Sequence, residues 1–407
     1  MHSVSAYIKS HWQDTVRSVD PVNHEESLLP LPYPYTVPCI NNACQEIYYW
    51  DVYFTDRGLL LSDREDLVRD NLRNFMYMIH TYGFIPNGSR TYYLNRSQPA
   101  FFGLMVRDYV EATGETAFLR EAYDALVTEY DFWMKGYGGL RCAPNGLNRY
   151  AAHPEDVGEY AGYVGLYHGR TGIALEGDTS VCGHHVMAEA ESGWDFNPRF
   201  HGRCHDHNTV DLNNLLWFDE TFLGACERTL GLGDGSAWEA KAEARKEAML
   251  TLMRDESGVF YDYDYATGQR SDIVSCAAFY PAMVGMISDD QGMDLLLSKL
   301  ELAYGLQAAE PCPDGRFQWG AGNGWAPMQL VAVESLTHVG RRADARRIAE
   351  KYVGLVERTF DAGGAVGEKY NIVTGDHNAV GEYGTPEMMG WTAGVYLALA
   401  HQLENGL

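Results

Sequence analysis

An all-α fold is predicted by three features of the 407-residue sequence. Apolar residues recur at three- and four-residue steps over long stretches, strand signals are few and short, and Gly and aromatic residues fill the connections. REDLVRDNLRNFMYMIHTYG, residues 64 to 83, sets the pattern: Leu67, Leu72, Phe75, Met76 and Ile79 form one stripe, and Gly83 ends it. The same spacing predicts helices near residues 99–112, 116–134, 208–230, 236–253, 273–286, 326–338, 342–358 and 386–403. GVFYDYDYATGQR, from Gly258, is the best hairpin candidate. Helices in this number, joined by loops, pack as helical hairpins rather than βαβ units. A closed ring is one solution; periodicity alone does not establish closure.

Composition narrows the classes of function. The chain is 46% hydrophobic and 13% aromatic, enough for a large core, and no linker, charge run or fixed-period repeat divides it. One domain over residues 1–407 is expected, with 1–40 as an N-terminal extension packed on the helical body. The 56 acidic and 31 basic residues leave a charge of −25, which repels phosphate backbones and anionic bilayers. Neither nucleic acid nor a membrane is expected as a partner. The N-terminal MHSVSAYIKSHWQDTVRSVD lacks the apolar core of a signal peptide, so a cytoplasmic protein is expected. The eight cysteines form no CxxC pair and read mostly as reduced, buried thiols. HGRCHDH, His201 to His207, spaces its ligands too closely for a closed tetrahedral centre, so neither metal nor cofactor is expected. Oligomeric state leaves no mark in the sequence.

The chemistry-bearing residues gather in loops. QEIYYWDVYF (45–54), FIPNGSRTYYLNRSQP (84–99), NRYAAHPEDVGEY (148–160), ESGWDFNPRF (191–200), RFQWGAGNGWAP (316–327) and GEKYNIVTGDHNAVGEY (367–383) each mix aromatic with polar or charged residues. Aromatic faces stack on sugar rings, while amides, carboxylates and arginines bind the hydroxyl edge. A small carbohydrate is the substrate class this pattern predicts. Any single loop is also explained by ordinary packing, and Asp195 alone is equally a turn or cap residue. Buried beside Trp194, the same carboxyl would gain the raised pKa of a general acid.

The order of YYWDVYF, IPNGSRTYYLNRSQP, ESGWDF, QW with NGWAP, and EKY with GEY and GWT resembles the trehalases of glycoside hydrolase family 37, over about residues 45 to 400. The resemblance implies an (α/α)6 barrel whose aromatic-rich loops form a central sugar pocket. It also implies an inverting hydrolysis of trehalose or a related small α-glucoside. It makes Asp195 the general acid and Glu368 the general base, with Glu382 on the substrate and sugar contacts from Trp50, Asp51, Asn87, Arg96, Gln98, Glu155 and Trp319. Trp194, Gln318 and Trp391 stand in the same motifs and complete the substrate-binding set. Lys369 follows Glu368, and its charge favours the ionised base where the two side chains approach.

The chain also departs from the family's pattern. Ala43 and Cys44 of INNACQ stand where the family has Arg and Phe, His153 replaces an Arg and Gly320 an Asp. An Arg fork is not replaced by Ala, and only partly by His, so a rebuilt leaving-group side and preference for another α-glucoside are expected. Two other classes stay open. One is a different (α/α)6 sugar enzyme, an epimerase or isomerase working with His153, His184, His185, His201, His205 or His207. The other is a sugar-binding protein without catalysis.

Overall fold

The structure, a computed structural model, describes residues 3–20, 25–41, 44–153, 157–377 and 388–407. Its helices are α1 (Val4–His11), α2 (Tyr49–Leu60), α3 (Glu65–Tyr82), α4 (Phe102–Thr113), α5 (Ala117–Gly139), α6 (Tyr160–Thr171) and α7 (Thr179–Glu191). They continue with α8 (Val210–Leu230), α9 (Ser236–Leu252), α10 (Tyr280–Met283), α11 (Met293–Leu300), α12 (Ala326–His338), α13 (Arg342–Gly363) and α14 (Gly390–Glu404). Neighbouring contacts run α2, α4, α8, α10, α12, α14 and from α14 back to α2, so these helices close a ring. Outside it, α3 packs on α2 and α4, α5 on α4 and α8, α9 on α8, and α13 on α12 and α14. This is the (α/α)6 barrel. The α6–α7 hairpin is an insertion whose main partners are each other and the turn Cys204–Asp206.

Position in the ring explains which helices the sequence revealed. α3 and α13 lie outside and bury one stripe, including Leu72, Phe75 and Ile79 in α3 and Ala345, Ile348, Tyr352 and Val356 in α13. Gly83 ends α3 in the left-handed conformation, φ 85°, as its place in the sequence predicts. An inner helix touches neighbours on both flanks and is apolar nearly all round, so its periodicity fades. Every residue from Gly390 to Leu399 of α14 is buried. For the same reason α2, which the sequence reads as loop, is a helix with Tyr49, Trp50, Val52, Tyr53, Phe54 and Leu59 buried. The predicted 273–286 helix is a shorter unit, a 3-10 turn Cys276–Phe279 running into α10. The expected hairpin forms as Tyr263–Asp264 paired antiparallel with Gln269–Arg270.

The N-terminal segment lies on this body. Trp12 is fully buried and donates through Nε1 to Ser62 Oγ at 3.0 Å. Val16–Arg17 pairs with Tyr35–Thr36, and the Pro38 carbonyl accepts from the Gly390 amide at 2.7 Å. All eight cysteines are free thiols, with Cys44 exposed and Cys142 and Cys312 half-buried. Among the described residues no helix is long and apolar enough to cross a membrane.

Ring closure leaves no room for side chains where α2 meets α14. A Cβ on Gly394 would stand 1.9 Å from the Phe54 carbonyl oxygen, and one on Gly58 would stand 2.6 Å from the Gly394 Cα. Both obstacles are backbone, which does not swing aside. Gly394→Ala is therefore expected to lower stability by about 3 kcal/mol in urea unfolding, the range of overpacked cores. Gly354→Ala, exposed in α13 with open space at its Cβ, is expected to raise stability by roughly 0.5–1 kcal/mol.

Candidate active site

The starts of the inner helices converge on a cavity of about 270 Å3. Ligand pockets run roughly 300–1,000 Å3, so this one suits a small sugar rather than a polymer. Trp50 and Asp51 enter from the first turn of α2, Asn87, Arg96 and Gln98 from the loop before α4, and Asp195 from the loop after α7. Gln318 and Trp319 come from the loop before α12, Glu368 from the loop before α14, and Trp391 from the first turn of α14. The fold thus brings both predicted carboxylates into one cavity with most of the predicted sugar-binding residues. Trp194 is placed elsewhere: it is fully buried behind the wall, with its ring against Trp319 at 5.4 Å. Glu155, Glu382 and Ala43 lie outside the described residues.

Tyr48, Tyr93, Trp325, Cys44 and Met389 also line the cavity and were not singled out as binding residues. Tyr93 and Trp325 stand inside the quoted motifs RTYYLN and NGWAP, so the mixture of aromatics and amides already marked them. Met389 carries no such signal.

Local hydrogen bonding shows why these loops hold their side chains in place. The Gln98 side-chain oxygen accepts from the Trp50 amide at 3.1 Å and caps the start of α2. Glu191, at the end of α7, pairs with Arg141 at 2.5 Å and accepts from the amides of Ser97 and Ala151 at 2.8 and 2.6 Å. One buried carboxylate thereby ties the Arg96–Gln98 loop to the loop that carries Asp195. On the other side of Asp195, Arg199 pairs with Asp211 and Asp262, both at 2.9 Å, and lies over the Trp194 ring at 4.4 Å. Gln318 donates to the Asp195 carbonyl, and the Trp319 amide donates to the Phe196 carbonyl at 3.1 Å. Strand Asn323–Trp325 pairs antiparallel with Lys369–Asn371, with Trp325 opposite Lys369. Trp391 Nε1 donates to the Glu368 carbonyl at 3.0 Å.

Stacked indoles form the wall. Trp325 and Trp319 lie 3.9 Å apart and nearly parallel, and Trp50 and Trp391 approach Trp319 at 5.6 and 6.2 Å. Burial in this wall pushes the Asp195 carboxyl up to about 6, with Arg96 and Arg170 opposing the shift and Glu368 adding to it. Burial, reinforced by Glu368, pushes Asp51 up to about 7. Glu368 lies in different company: Lys369 Nζ stands 2.8 Å from its Oε2. A buried carboxyl with a raised pKa and a second carboxyl beside a cation are an arrangement that can serve acid–base chemistry at a glycosidic bond.

No histidine lines this cavity among the described residues. His153 packs its ring on Tyr137 at 4.0 Å, His184 meets the Tyr160 hydroxyl at 3.2 Å, and His201 meets Asp272 at 2.8 Å. His207 Nδ1 lies 2.9 Å from the Arg203 carbonyl. A larger cavity, about 880 Å3, lies at the opposite ends of the inner helices, between Arg57, Asp108, Glu334 and Gln402. Among the described residues, none of those lining it is a tryptophan or tyrosine that could receive a sugar face.

Barrel and cavity together are those of an (α/α)6 fold with room for a small sugar at one end of the ring. A model of the Trehalase family matches residues 1–404, and the chain belongs to that family. A periplasmic trehalase from Xanthomonas axonopodis pv. citri is 35% identical over 95% of this chain and 71% of its own length. The solved neutral trehalase from Saccharomyces cerevisiae superposes with a TM-score of 0.77 at 28% identity, covering 98% of this chain and 79% of that one. A GH63 mannosylglycerate hydrolase from Thermus thermophilus shares the fold, with a TM-score of 0.67 at 16% identity over 98% of this chain and all of its own. The bacterial relatives correct the cytoplasmic expectation, because they are periplasmic trehalases. An N-terminal stretch without an apolar core does not decide the compartment.

Gly193 is the residue on which the placement of Asp195 turns. Its φ is 76°, and a Cβ there would meet the Trp50 ring at 2.8 Å. Gly193→Ala is expected to push Trp194 and Asp195 out of register and lower kcat/KM by about 10²-fold, as misplacement near 1 Å does. Steady-state kinetics on protein checked for folding by circular dichroism measures it.

Proposed function

We propose that the enzyme hydrolyses trehalose by a single displacement in which Asp195 is the general acid and Glu368 the general base. Asp195 gives its proton to the glycosidic oxygen as the C–O bond breaks. Glu368 takes a proton from the water that attacks the anomeric carbon from the opposite face. The observation that carries this reading is that Asp195 and Glu368 line one cavity in different company, burial pushing the Asp195 carboxyl up to about 6 and Lys369 standing beside Glu368. Trp319, Trp50 and Trp391 offer faces to the sugar ring, while Arg96, Asn87, Gln98, Gln318 and Asp51 meet its hydroxyls. Glu155 and Glu382 are assigned to the substrate on their motifs alone. Trp194 supports Trp319 from behind.

Trehalose is favoured by the kinship with trehalases. His153, one of the departures that pointed to another leaving group, faces Tyr137 rather than the cavity. We also assign residues 1–407 to one domain, with 1–40 fastened to the barrel through Trp12, the short strand pair and Pro38.

Three measurements test the reading. Proton NMR of the first turnovers of trehalose is expected to give one α- and one β-glucose per molecule; α-glucose alone would mean retention. Asp195→Asn and Glu368→Gln are each expected to lower kcat by on the order of 10²–10⁴ with the fold intact. Because the acid must be protonated and trehalose does not titrate, kcat/KM is expected to decline as pH rises through about 6, to which burial raises the Asp195 carboxyl.

A further inference from the structure

Lys369 is a buried cation that the two-carboxylate mechanism leaves without a task. It is 4% exposed, and a buried ammonium is costly unless it is paired. Its Nζ lies 2.8 Å from Glu368 Oε2 on one side and 4.7 Å from the centre of the Trp325 ring on the other. The antiparallel ladder accounts for this, because Lys369 and Trp325 are register partners and cross-strand partners place their side chains on one face of a strand pair. Trp325 in turn stacks on Trp319 of the cavity wall at 3.9 Å.

The carboxyls of Asp51 and Asp195 share the cavity with Glu368 and interact with it electrostatically. A second and third carboxyl in one cavity disfavour ionisation of the first. A base in that company needs a counter-charge if it is to meet water as a carboxylate. Its main chain is already anchored, since the Glu368 carbonyl accepts from Trp391 Nε1 at 3.0 Å and from Thr392 Oγ1 at 3.4 Å.

We propose that Lys369 is a positioning residue for hydrolysis: its ammonium, backed by the Trp325 face, orients the Glu368 carboxylate and is the counter-charge beside it in a cavity that also holds the Asp51 and Asp195 carboxyls. The assignment rests on the reading of Glu368 as the base. Lys369 transfers no proton and touches no sugar. It aligns one carboxylate oxygen, and the balance of charge in the cavity depends on it.

The test compares Lys369→Met, Lys369→Arg and Glu368→Gln by pH profiles on trehalose. Glu368 must be ionised to act, so activity fails on the acidic side, and removing the cation moves that limb to higher pH. In Lys369→Met the acidic limb of kcat/KM is expected to rise by about one pH unit or more, the effect of losing an adjacent opposite charge. Its kcat at the optimum is expected to fall roughly 10–10²-fold with KM within about threefold, the pattern of a lost second contact to a working group. Lys369→Arg restores the limb and most of kcat. A limb that stays at the wild-type pH while the melting temperature falls would overturn the proposal, leaving the lysine a structural role alone. A large rise in KM at unchanged kcat would overturn it too, by making Lys369 a sugar contact. If Lys369→Met does not fold, Lys369→Gln serves for the same comparison. A Glu368→Gln enzyme with near wild-type turnover would remove the base assignment itself. An inactive Glu368→Gln with an unshifted Lys369→Met limb would remove only the lysine.

Discussion

Two residues without side chains, Gly58 and Gly394, let α2 and α14 meet at backbone contact, and the geometry of the catalytic end follows from that meeting. Trp50 and Asp51 start α2, and Trp391 starts α14 while holding the Glu368 carbonyl. Closing the first inner helix on the last therefore sets the place of the Asp51 carboxyl relative to Glu368, across more than 300 residues of chain, a span that loop entropy alone would leave unordered. Packed interiors transmit such constraints because they are dense and do not deform smoothly.

Within the closed ring, one aromatic wall serves two electrostatic purposes. On one side it dries the surroundings of Asp195 and Asp51, so that burial holds their protons toward neutral pH. On the other, the Trp325 face receives Lys369, whose ammonium rests on Glu368. Two carboxyl groups in different company thus share a cavity of about 270 Å3, and the proposed donor and acceptor roles rest on that difference. The ion pairs Arg141–Glu191 and Arg199–Asp211, fully buried, keep the Asp195 loop from relaxing away from this arrangement.

Outer helices were legible in the sequence because each buries one stripe, as α3 does with Leu72, Phe75 and Ile79. The inner helix α2 was not, because Trp50, Tyr53 and Phe54 face packed neighbours on more than one side and erase the period. Motif strings located Asp195, Glu368 and the tryptophans of the wall, since long mixed strings carry information that periodicity does not. Distinguishing Trp319, which lines the cavity, from Trp194, which stands behind it, required the fold, because both follow the same local rule. The insertion helices α6 and α7, and the ring closure itself, are tertiary facts with no local signature. His153 shows the converse: its place in a motif marked it, and the fold turned its ring to Tyr137.

The central claim is that a folded, unliganded enzyme holds a proton on Asp195 well above the ordinary carboxylate range. Carbon-13 NMR of protein labelled at the Asp side-chain carboxyl, with Asp195→Asn and Asp51→Asn to assign the signals, measures that proton directly. The account predicts an Asp195 midpoint near 6, below that of Asp51 near 7. An Asp195 signal that titrates near 4, the value of an exposed aspartate, would contradict it.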